Sequence, residues 1–70
     1  MKLSQAQFET VNDKIDAKVH ASRRGTPERT EAEALSARWE AVLATPQRTF
    51  AQREERLAAI ARFATAEGLV

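Results

Sequence analysis

The chain has 70 residues, a net charge of +1, 30% charged residues and no cysteine. That length holds one small domain, the missing cysteine excludes disulfides and thiol chemistry, and the near-balanced charge excludes a polybasic nucleic-acid arm. No apolar run is long enough to span a bilayer, and Met1-Lys2-Leu3-Ser4 does not lead into the apolar core of a signal peptide, so a cytoplasmic location is the expectation.

The first helix is announced by its start. Ser4 followed by Gln7 has the spacing of a capping box, and Leu3 with Phe8 has that of a hydrophobic staple. Phe8, Val11, Ile15 and Val19 then recur at steps of three and four, which makes one narrow apolar stripe. The pattern predicts a helix over residues 4–24. A stripe this thin packs against one or two neighbours and does not sit at the centre of a bundle.

Arg23-Arg24-Gly25-Thr26-Pro27-Glu28 stops one helix and starts the next. Gly25 suits the left-handed conformation that closes a helix, with Arg23 and Arg24 placed at the carbonyl end. Thr26 suits a cap, Pro27 the first helical position, and Glu28 the amide end. So short a break predicts an antiparallel hairpin.

The second helix is predicted over residues 27–44, with Leu35, Trp39, Val42 and Leu43 on one side and Ala32 beside them. Its back carries Ala34, Ala37, Ala41 and Ala44, which reads as helix propensity ahead of a second contact face. Thr45-Pro46-Gln47-Arg48-Thr49 then repeats the wording of Thr26-Pro27-Glu28-Arg29-Thr30. It reads as one helix-start device used twice, with the later threonine of each phrase offering a second start a turn further on. Whether Pro46 separates two helices or kinks one stays open at this point. The third helix, over residues 46–67, holds Phe50, Leu57, Ile60, Ala61 and Ala64 on one face. It stops at Gly68, after which Leu69 can fold back on Phe63 or Ala64.

Candidate chemistry is sparse. His20, four residues after Asp16 and near Asp13, reads as an exposed helix pair, because a catalytic metal needs three ligands in a shaped cavity. Glu54-Glu55 diverge by about 100° on a helix and form no dyad. The serines lack a histidine–acid setting, and Gly25 and Gly68 make no phosphate loop. The chain is therefore read as non-catalytic, with no cofactor and no metal.

The expectation is an all-α domain spanning 1–70, three helices opening with an antiparallel hairpin. A chain this short buries only about 60% of its unfolded surface, so completion by a homodimer is expected. The function expected is protein binding, as a small regulator or inhibitor. The candidate partner-binding residues are Phe63, Leu69, Trp39, Val11 and Ile15, with Phe63 chosen because it lies off the main stripe. The alternative is a dimeric DNA-binding regulator contacting phosphates through Lys14, Lys18, Arg23, Arg24 and Arg29. Against it, the helix after Gly25 carries Glu28, Glu31, Glu33 and Glu40, and an acidic helix does not enter the major groove readily.

Overall fold

Hydroxyl caps set the helix starts. Ser4 Oγ accepts from the Gln7 amide at 3.1 Å while Gln7 Oε1 accepts from the Ser4 amide at 2.9 Å, closing the capping box. Thr26 accepts from the Arg29 amide at 3.3 Å, and Thr49 from the Gln52 amide at 3.0 Å. The computed structural model, which describes residues 2–70, thus contains three helices: α1 Gln5–Ala21, α2 Pro27–Leu43 and α3 Phe50–Ala66.

The all-α class and the hairpin stand as read. α2 packs against both α1 and α3. Cross-contacts fix the directions. Arg29 meets Val19 and Trp39 meets Asn12, so α1 and α2 are antiparallel. Lys2 meets Glu54 and Lys14 meets Leu69, so α3 runs alongside α1 in the same sense. Between them lies one core of Val11, Ile15, Leu35, Trp39, Ile60, Ala64 and Leu69, with Leu3, Phe8, Val42, Leu43 and Phe63 packed around it. Trp39 is its centre, at 1% exposure, with the Phe8 and Phe63 rings 5.5 and 5.7 Å away on centroids. The alanine back of α2 is exposed, in keeping with propensity.

Two boundaries differ by more than one residue from the sequence reading. α1 ends at Ala21 instead of running to 24, because Ser22 turns extended (ψ 134) and its hydroxyl donates to the Lys18 carbonyl at 2.6 Å. Gly25 keeps its positive φ (83°), yet it serves the turn Arg23–Thr26 instead of closing α1. Arg23 and Arg24 consequently lie beyond the helix end, on the exposed turn. α3 starts at Phe50, four residues later than expected, because Thr45-Pro46 finishes α2 and starts nothing: the Thr45 amide still donates back to the Val42 carbonyl. Pro46 thus separates two helices.

The late start shifts α3 along the bundle. A helix of 17 residues is about 25 Å long, while the chain extends 42 Å. α1 and α2 reach past the C-terminal end of α3 at the hairpin turn, and the first turn of α3 reaches past them at the other end.

Candidate functional site

Four of the five residues proposed to face a partner belong to the chain's own interior. Val11, Ile15, Trp39 and Leu69 are at most 2% exposed, so no partner touches them without opening the helices. The stripe of α1 is consumed by α2 and the returning C-terminus. Phe63 is half-buried and covers the outer side of Trp39. Leu69 reaches the core through a Schellman turn. Its amide donates to the Ala64 carbonyl at 2.8 Å, that of Gly68 to Thr65 at 3.1 Å, and Gly68 takes φ 68°.

The five cations considered for phosphate do not act as one set. Arg29 lies under the hairpin turn, where Nη1 donates to the carbonyls of Val19 at 2.9 Å and Ser22 at 3.3 Å. Its Nε is buried without a hydrogen-bond partner, and Glu33 at 3.6 Å is too far to supply one. Lys14 Nζ donates to the Leu69 carbonyl at 3.2 Å. Lys18, Arg23 and Arg24 remain exposed. Arg29 therefore does the helix-end work that the sequence reading gave to Arg23 and Arg24: it holds the last carbonyls of α1.

Elsewhere, among the described residues, three further ion pairs run across or along the helices. Lys2–Glu54 and Arg38–Glu67 each close at 2.7 Å, Arg62–Glu55 at 2.8 Å. Among the described residues, no three His, Cys, Asp or Glu side chains converge as metal ligands, and Asp13, Asp16 and His20 stand exposed on α1. Among the described residues, no helix is long and apolar enough to cross a membrane.

Two features of the surface follow from the shift of α3. At the hairpin end, an open groove of about 460 Å³ lies between α1 and α2, just past the end of α3. It is lined by Ala21, Ser22, Ala32 and Leu35 together with Lys18, Glu28, Glu31 and the Arg38–Glu67 pair. At the opposite end, Phe50 is 70% exposed. It continues the stripe of Leu57, Ile60 and Ala64, but lies a turn beyond Glu54, the residue that meets Lys2 at the start of α1. The helix face is apolar where there is no helix left to cover it. The sequence shows that Phe50 shares a helix face with Leu57, Ile60 and Ala64, but nothing in that pattern tells that the neighbouring helices end before it.

Comparison with known proteins finds no family model, no curated protein and no solved structure that matches this chain.

Proposed function

We propose that the chain is a non-catalytic protein-binding module, a small regulator or inhibitor that also self-associates, the homodimer being its simplest assembly. Phe50 carries this reading. Its ring, 70% exposed at the start of a well-capped helix, is apolar area that a partner surface would cover. Phe63 contributes its exposed edge, while Val11, Ile15, Trp39 and Leu69 act indirectly by holding the scaffold rigid.

The DNA-binding alternative loses support, since Lys14 and Arg29 are already engaged with carbonyl oxygens. Sedimentation equilibrium over roughly a hundredfold concentration range tests the main reading, because association must follow mass action. A mass that rises with concentration supports it, and a constant monomer mass removes self-association. A mobility shift on duplex DNA at low salt, abolished by Arg23→Ala with Arg24→Ala, would put DNA binding in its place.

A further inference from the structure

Two arginines stand together beside Phe50. Arg53 Nη1 donates to the Arg48 carbonyl at 3.4 Å, and Phe50 and Arg53 share one face of the first turn of α3. Both arginines are exposed, and neither makes an ion pair among the described residues. Arg56 adds its charge to theirs while its Nε donates to the Leu43 carbonyl at 3.0 Å. The ring of Phe50 is also the outer part of a longer apolar surface. Two turns along α3, half-buried Leu57 lines an open cleft of about 190 Å³ with half-buried Leu3 and Phe8 at the start of α1. Phe50 and Leu57 are about 10 Å apart along the helix axis.

The carboxylates are placed too far away, or too well paired, to neutralise Arg48 and Arg53. Residues 41–53 contain no acidic side chain. Glu54, between Phe50 and Leu57, is taken by Lys2 at 2.7 Å, and Glu55 by Arg62 at 2.8 Å. Glu40 and Glu9 are the nearest carboxylates on the other helices. α2 meets Arg56 at Leu43, so Glu40 lies roughly 13 Å down the axis from Phe50. α1 begins where Lys2 meets Glu54, which sets Glu9 at roughly the same depth. Both separations exceed the Debye length of about 8 Å at physiological ionic strength. The surroundings of the ring are therefore positive.

We propose that this end of the molecule binds an acidic segment of another protein. One large apolar side chain of the segment enters the cleft of Leu3, Phe8 and Leu57, a second covers Phe50, and its carboxylates meet Arg48 and Arg53. The proposal rests on the protein-binding reading and supplies the chemistry of the partner. An extended segment spans the two anchor points in about three residues, and a helix in two turns. Two copies meeting through Phe50 would crowd four arginines together, so self-association uses another face. A nucleic-acid strand would stack on the ring, but it would leave the apolar cleft unfilled and would find no longer row of cations to follow. The contact is small, which puts the expected Kd on the order of 0.1–1 mM.

Amide NMR of the full chain tests it. The probe is a short synthetic peptide in which leucine and phenylalanine alternate with glutamate. One control peptide replaces glutamate by lysine, and the other replaces the apolar residues by serine. The acidic apolar peptide is expected to shift the amides of Arg48, Phe50, Arg53 and Leu57, more weakly as salt is added, and the controls are expected to leave them in place. Phe50→Ser, and separately Arg48→Gln with Arg53→Gln, are each expected to weaken binding at least fivefold. These positions are exposed, and circular dichroism with urea unfolding verifies that the variants stay folded. Unmoved amides with the peptide at about 1 mM, or equal binding by the variants or of a control peptide, would overturn the site. Tighter binding of oligothymidylate at the same amides would put a nucleic acid in place of the peptide and overturn it too. Shifts at these amides that grow with protein concentration alone would make a second copy the occupant, overturning the acidic partner while leaving the protein-binding reading intact. Loss of the site together with a monomer at every concentration would overturn both.

Discussion

The indole Nε1–H of Trp39 donates to Oδ1 of Asn12 at 2.8 Å, a polar tie from the centre of the core to the first helix. The ring is buried and its single donor has to be satisfied, so the bond fixes the height at which α1 lies against α2. Asn12→Ala strands that donor at the edge of the core, where water has partial access because Asn12 itself is exposed. The expected loss is about 1–2 kcal/mol in urea unfolding. Asn12→Asp keeps an acceptor and is expected to lose less. Equal stability of Asn12→Ala and the wild type would show that the bond contributes nothing.

Arg29 and Glu33 allow a direct comparison on one helix. The guanidinium meets two carbonyl groups at the end of α1 while its side chain is only 20% exposed. Glu33, 60% exposed, stands 3.6 Å from Nε in a contact that water screens. Arg29→Ala is expected to cost about 1.5–3 kcal/mol, because a charged donor and two acceptors part together. Glu33→Ala is expected to change stability by less than about 0.5 kcal/mol. Arg29→Lys is expected to fall nearer to alanine than to the wild type, since an ammonium lacks the planar fork.

What could be read from the sequence divides by range. The capping box at Ser4–Gln7, the apolar stripe of α1 and the fold-back of Leu69 are local patterns, and each appears in the structure. The end of α1 was not local. Arg23 and Arg24 looked like its last residues until a side chain seven residues beyond Ser22, that of Arg29, took the carbonyls instead. Four of the interface candidates lie in the core for a related reason. An apolar stripe is the same sequence signal whether it meets a partner or the chain's own α2, and only packing distinguishes Val11 and Ile15 from Phe50. The stagger that exposes Phe50 depends on where α3 starts relative to α1, which no pattern within α3 records.

Leu69 and Val70 are neighbours with opposite fates. The first is 2% exposed in the core and the second 50% exposed. Leu69→Ala is expected to cost about 2–4 kcal/mol, the range for a buried leucine whose site closes only in part. Val70→Ala is expected to be near neutral. Gly68→Ala is expected to cost about 1 kcal/mol even though its Cβ would meet nothing within 4 Å, since φ 68° is strained for an L residue. If Leu69→Ala and Val70→Ala gave equal urea midpoints, the docked C-terminus would be wrong.

Phe63 and Phe8 cover Trp39 from two sides with tilted rings at 35° and 42°. Phe63→Ala removes one of these covers. It is expected to lower stability by about 2–3 kcal/mol, below the usual range for a fully buried phenylalanine because the ring is only half-buried. Trp39 fluorescence is expected to shift to longer wavelength as water reaches the indole. Unchanged emission and stability, with weakened self-association alone, would return Phe63 to a purely intermolecular role.

The two Thr-Pro phrases offer four threonines, of which the fold uses two as caps. Thr26 accepts from the Arg29 amide at 3.3 Å, and its own hydroxyl donates to the Arg23 carbonyl at 2.6 Å, so it closes the turn as well as starting α2. Thr49 caps α3 with Gln52 three residues on, which completes a capping box, whereas Thr26 caps α2 with Arg29 in that position and no box. The Gln52 carboxamide accepts from the amides of both Arg48 and Thr49, at 2.9 and 3.1 Å. A start at Thr45 would put Arg48 in that position, which has no acceptor to offer. Thr26→Ala and Thr49→Ala are therefore each expected to cost about 1 kcal/mol, and Thr30→Ala and Thr45→Ala less than half of that. Gln52→Ala is expected to reproduce the Thr49→Ala loss, with the double variant less than additive, because the two side chains form one box. Additive losses in urea unfolding would mean that Gln52 stabilises α3 independently of the cap.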